Sequence, residues 1–125
     1  YLFSNSVAPP IVAASLAALE LVESGGDARE RLRANAALFR SFMTDAGFDL
    51  LLGEHPIIPV MVGDAARAGE LAAALLEEGV LATAFSYPVV PRGAARIRTQ
   101  MSAAHSEADV RRAVDAFVAA RAKLA

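Results

Sequence analysis

The sequence has no cysteine, no tryptophan, a single lysine and two histidines. Without cysteine there are no disulfides, no thiolate metal sites and no thiol nucleophile. His55 and His105 alone cannot build a zinc site without carboxylate help. No surplus of positive charge is available either: 12 Lys and Arg stand against 14 Asp and Glu, for a net charge of −2. That balance offers a phosphate backbone nothing to hold, so nucleic acid is not an expected partner. Apolar runs are broken by Pro, Gly or charge well short of the roughly 20 residues that cross a bilayer. No membrane span is expected, and a cytoplasmic location fits best. There is no phosphate-binding Gly loop, no paired His at helical spacing and no Gly-x-Ser-x-Gly elbow. Glu23, Glu54, Glu77 and Glu78 lack a second acid at a spacing suited to acid/base work and read as solvated charges. These absences disfavour a self-contained enzyme. The opening Tyr1-Leu-Phe-Ser-Asn-Ser has neither an initiator Met nor a basic region before an apolar stretch. It reads as the continuation of a longer chain rather than a start or a signal peptide.

What is present suits one domain: 125 residues, 55% of them hydrophobic. Pro9 and Pro10 fit a first helical turn, and Ile11 to Ser24 reads as an apolar helix stopped by Gly25-Gly26. Asp27 suits the N-cap of a second helix, with Leu32, Ala36, Phe39 and Met43 opposite the charged residues, and Gly47 suits its left-handed C-terminal cap. Phe48 to Leu52 and Ile57 to Val62 read as strands, 65–78 as a helix ended by Gly79, and Val80 to Phe85 as another strand. Pro88 and Pro91 bracket a loop. The segment 95–101 alternates so that Arg96, Arg98 and Gln100 share one face. Ser106 with Asp109 forms a capping-box pattern ahead of a last helix striped by Val110, Val114, Phe117 and Val118. The expected order is α-α-β-β-α-β-β-α: an α+β fold with helices covering one side of a mainly antiparallel sheet.

Chemistry concentrates on that arginine strand. A buried sheet face normally excludes guanidinium groups. Arg98 is either an ordinary surface residue on a solvated face or a two-pronged grip for a carboxylate, a geometry Arg supplies better than Lys. Ser4-Asn5-Ser6 could donate to an anion or simply form a turn. His105, beside the expected cap at Ser106, and His55, before Pro56, read as structural. Residues alone would also allow a free-standing regulatory module in which Arg98 holds an amino-acid effector.

Three segments carry a further likeness: Tyr1 to Pro9, His55 to Met61, and Tyr87-Pro-Val-Val-Pro91 running on to Ala95-Arg-Ile-Arg-Thr-Gln-Met-Ser-Ala-Ala-His105. In that order they resemble the α-oxoamine synthases, fold-type I pyridoxal-phosphate enzymes that condense an amino acid with an acyl-CoA. The resemblance implies that 1–125 is the small C-terminal domain, with 1–24 linking to a large domain that bears the cofactor lysine. It implies pyridoxal 5'-phosphate as cofactor and a homodimer with a shared active site. It implies glycine and acetyl-CoA as substrates, with the siblings making 8-amino-7-oxononanoate or 5-aminolevulinate as alternatives. Carried over by residue, Arg98 takes the substrate-carboxylate role, and Ser4 and Asn5 reach the cofactor phosphate of the partner subunit. Arg96 receives no role, and no catalytic residue or metal ligand is assigned. The only lysine, Lys123, stands in the last turn of a terminal helix and is a poor Schiff-base candidate, because that role needs a desolvated, lowered pKa. The chain alone is therefore expected to be catalytically silent.

Overall fold

A computed structural model describes residues 6–124. Four helices, α1 (Pro9–Ser24), α2 (Gly26–Asp45), α3 (Ala65–Glu77) and α4 (Glu107–Lys123), accompany three strands, β1 (Ile57–Gly63), β2 (Thr83–Phe85) and β3 (Ala95–Gln100). The sheet is antiparallel throughout, in the order β1-β3-β2, so the arginine strand is central.

The side-chain period of two divides β3 cleanly. Ala95, Ile97 and Thr99 are buried with Ile58 and Val60 of β1, whereas Arg96, Arg98 and Gln100 face away. Thr99 is the only polar member of this buried set, and its hydroxyl donates to the Ile58 carbonyl at 2.7 Å, which removes the desolvation cost of a lone hydroxyl. Helices α2, α3 and α4 close the buried side with Phe39, Met43, Leu75, Val110 and Phe117. Phe117 sits edge-on to two rings, with centroids 6.3 Å from Phe39 and 5.5 Å from Phe48.

Helices α2 and α3 end alike. Past α2, Gly47 adopts φ +76° and its N–H donates to Thr44, while the next N–H, of Phe48, reaches back to the Met43 carbonyl. Past α3, Gly79 (φ +80°) donates to Leu76 and Val80 to Leu75. This is the Schellman ending, in which an apolar residue following the glycine folds back on the helix.

That ending corrects two expectations. Phe48 to Leu52 forms no strand: Phe48 is committed to the α2 cap, and one bridge from Leu50 to Val60 is all that follows before Leu52, 96% exposed, turns outward. Likewise the strand expected from Val80 begins only at Thr83, because Val80 completes the α3 cap. The α2 cap also differs, since the helix starts at Gly26 with Gly25 as its N-cap and Asp27 lies inside the first turn. Asp27 still favours the helix there, through the positive end of the peptide dipoles.

The capping box at α4 forms as expected: Ser106 Oγ accepts from the Asp109 N–H, and the Asp109 carboxylate accepts from the Ser106 N–H at 3.0 Å. These bonds, the Ser106 backbone donor first, hold the Asp109 carboxyl below its ordinary value. Its contribution is therefore present above the ordinary carboxylate range and lost as pH falls through the lowered value. Ser106→Ala should destabilise the chain by about 1 kcal/mol at neutral pH. Urea titrations at stepped pH should show the gap between wild type and variant narrowing in acid.

Candidate functional site

The open face of the sheet is set by register. Arg98 lies opposite Pro59 of β1 and Thr83 of β2; Arg96 lies opposite Met61 and Phe85; Gln100 lies opposite Ile57. Directly opposed residues of an antiparallel pair share a face, so these eight side chains form one surface. It is mixed in character: Ile57, Pro59, Met61 and Phe85 are only half-buried, and the exposed Arg98 stands among them.

The two arginines differ. Arg96 is half-buried and turns back along its own strand, its Nε donating to the Ala94 carbonyl at 3.0 Å. Arg98 reaches outward, its Cζ 5.5 Å from the Phe85 ring centroid and its Nη2 3.4 Å from Gln100 Oε1. Among the described residues no carboxylate pairs with either arginine; the ion pairs join Arg111 to Glu107, Arg112 to Asp109, and Lys123 to Glu77 and Glu78. Arg98 thus presents a full positive charge with most of its donors available on a partly apolar surface. A carboxylate is the small anion whose two oxygens match that planar fork.

Both histidines serve local turns. His55 Nδ1 accepts from the Ile57 N–H at 3.0 Å, and His105 Nδ1 accepts from the Ser102 N–H at 3.2 Å. Asn35 fixes the second turn from α2, donating to the Ser102 and His105 carbonyls at 2.9 and 2.8 Å. Ser4 and Asn5 lie outside the described residues. Among the described residues no group of three or more His, Asp or Glu gathers in a way that could hold a metal ion, and no helix is long and apolar enough to cross a membrane.

Lys123 is a charged anchor. Its ammonium is 2.8 Å from Glu78 and 3.1 Å from Glu77, and these partners, Glu78 foremost, raise its pKa above the ordinary 10.5. A lysine nucleophile needs the opposite shift.

A cavity of about 400 Å³ lies toward the start of α4 between Phe39, Thr99, Met101, His105, Asp109 and Phe117. Neither Arg96 nor Arg98 lines it. The arginine surface is open, so any enclosed site built on it takes its other wall from elsewhere. Sequence reasoning placed Gln100 beside Arg98 but missed Phe85, since only the β2–β3 register brings residue 85 to the arginine strand.

The chain matches the family model for aminotransferase class I and II over residues 1–117. It is 60% identical over 117 residues to the 2-amino-3-ketobutyrate coenzyme A ligase of Salmonella typhimurium, covering 94% of this chain and 29% of that protein. It is 44% identical to the 8-amino-7-oxononanoate synthase of Symbiobacterium thermophilum, covering 94% of this chain and 30% of that one. Serine palmitoyltransferase from S. paucimobilis, solved with bound PLP-myriocin aldimine, superposes with a TM-score of 0.87 at 27% identity, covering 98% of this chain and 31% of that chain. The chain thus spans under a third of the length of these relatives.

The raised pKa of Lys123 gives a direct check. Its stabilising contribution is present below 10.5 and disappears only as pH rises through the raised value. Following the Lys123 side-chain carbon resonances of a 13C-labelled chain through a pH titration should place its midpoint above 10.5, and Glu78→Gln should bring that midpoint back down.

Proposed function

Because the chain belongs to the aminotransferase class I and II family, we propose that it is the substrate-carboxylate-binding part of a glycine C-acetyltransferase, also called 2-amino-3-ketobutyrate CoA ligase. The reaction joins glycine to the acetyl group of acetyl-CoA: glycine Cα loses a proton and bonds the acetyl carbonyl carbon, the thioester C–S bond breaks, and 2-amino-3-oxobutanoate and CoA leave. The observation that carries this reading is Arg98, a guanidinium on the open face of the central strand with no carboxylate partner among the described residues.

Pyridoxal phosphate, when bound, supplies an electron sink for the carbanion at the substrate Cα. The described residues do not fit its covalent attachment, because Lys123 is the only lysine of the chain and is held charged between two glutamates on the outer surface. The attachment lysine belongs to a large domain beyond this chain. Residues 1–24 serve as the link to it, a role supported by α1, which buries none of its residues and leaves Ile11, Leu16, Leu19 and Val22 more than half exposed. Ser4 and Asn5 would hold the cofactor phosphate across a homodimer.

Arg98 binds and orients. Two N–H groups on one carboxylate fix both the position of the substrate and the rotation about its Cα bonds, so the C–H to be broken is presented in one direction. Alone, the chain holds a substrate end and performs no chemistry.

In the full-length protein, Arg98→Ala should cost about 3 kcal/mol of glycine binding, or roughly a hundredfold in KM, if its charged hydrogen bonds are lost. Arg98→Lys should recover little, since an ammonium cannot bind both oxygens in the plane. Near-normal steady-state kinetics for Arg98→Ala would sink the assignment. Lys123→Ala should leave the cofactor absorbance of the full-length protein unchanged; loss of that band would overturn the placement of the attachment lysine. The 44% identity to an 8-amino-7-oxononanoate synthase favours a second reading within the same family. CoA-thiol release from acetyl-CoA plus glycine, compared with a longer acyl-CoA, separates the two.

A further inference from the structure

Resting on the reading of Arg98 as a carboxylate grip, we propose that Phe85 and Gln100 are positioning residues that preset its guanidinium, and that Gln100 must be uncharged for the site to accept an anion. Two independent strands supply them. On β2, Thr83 lies opposite Arg98, which makes Phe85 the diagonal neighbour on the same face, near enough for an aromatic ring to meet a long side chain. The Arg98 Cζ stands 5.5 Å from that ring centroid, within reach of the attraction between a cation and the ring's negative face. On β3 itself, Gln100 follows Arg98 by two residues, on the same face, and its Oε1 accepts from Nη2 at 3.4 Å.

The chemistry of these partners matters more than their number. A phenyl ring and an amide oxygen restrain the guanidinium without neutralising it. Pro59 and Thr83, the residues directly opposite Arg98, carry no charge either. The rotamer freedom of a long arginine is therefore partly removed before a ligand arrives, which lowers the ordering cost of binding. Four of its five N–H donors remain for a carboxylate. Arg96 shows the alternative outcome, with its Nε spent on the Ala94 carbonyl of its own strand.

The position of Gln100 makes a sharp test available. Glutamate has the same length and nearly the same volume, so Gln100→Glu would set a carboxylate beside Nη2 and let Arg98 pair with its own strand. A residue that merely fills space would not distinguish the two side chains; a neutral positioning residue must.

The experiment uses the full-length protein and measures the Kd of glycine by calorimetry together with kcat and KM for glycine. The variants are Gln100→Ala, Gln100→Glu, Phe85→Leu and Phe85→Tyr, with Arg98→Ala as the reference. Gln100→Glu should weaken glycine binding by about tenfold or more, and Gln100→Ala by about threefold, with the loss carried by KM rather than kcat. Phe85→Leu, which keeps an apolar side chain but removes the ring, should weaken binding by about threefold, and Phe85→Tyr should restore it. Equal binding by Gln100→Glu and Gln100→Ala would overturn the proposal, as would Phe85→Tyr behaving like Phe85→Leu, or losses confined to kcat. If Arg98→Ala weakens binding while Gln100→Glu does not, only the positioning roles fail; if Arg98→Ala binds glycine normally, the reading beneath them fails as well.

Discussion

The pleat of the central strand is the constraint on which the rest of this structure depends. Six consecutive residues of β3 serve two masters: Ala95, Ile97 and Thr99 anchor the sheet to its helices, and Arg96, Arg98 and Gln100 stand on the opposite surface. Because the period is two, neither set can move without the other, and a one-residue slip would drive guanidinium groups into the core. The hydrogen bond from Thr99 to the Ile58 carbonyl adds a directional restraint between β1 and β3 to the apolar packing around it. The direction in which Arg98 points is in this sense a property of the core.

The helical layer makes that core firm. Phe117 of α4 meets Phe39 of α2 and Phe48 just beyond it, so the last helix of the chain is locked to one formed much earlier. The Schellman endings of α2 and α3 contribute twice, satisfying terminal carbonyls and returning an apolar residue, Phe48 or Val80, toward the core. Arg121 adds a polar strap across the same junction, donating to the Ala46 and Gly47 carbonyls at 2.9 and 3.3 Å.

The opposite side of the sheet is unfinished by comparison. Half-buried apolar residues and an exposed arginine share one surface, and the 400 Å³ cavity near the start of α4 lies elsewhere. Under the proposed function this surface would be one wall of a site, with a further domain supplying the other. A 2-amino-3-ketobutyrate coenzyme A ligase and an 8-amino-7-oxononanoate synthase both align over nearly all of this chain, yet it spans under a third of each.

How much could be read in advance divides along physical lines. The helices are largely legible in the chain, because Pro9-Pro10 at the start of α1, the glycines after α1, α2 and α3, the apolar stripes of α2, α3 and α4 and the capping box at Ser106 are local signals, although α2 begins at Gly26 rather than after Asp27. The sequence by itself also determined which residues of β3 share a face, since alternation needs no partner. The resemblance carried by residues 87–105 singled out Arg98, where spacing left it level with any surface arginine. Tertiary structure decided the remainder. An apolar residue after a helix-ending glycine looks the same whether it starts a strand or closes a cap, so along the chain Phe48 and Val80 read as strand starts. Only pairing across β2 and β3 could bring Phe85 to Arg98, and only packing could send Arg96 back onto Ala94 while Arg98 stayed open. The first of these depends on strand register and the second on which neighbours pack around each arginine, and neither is encoded in the local pattern.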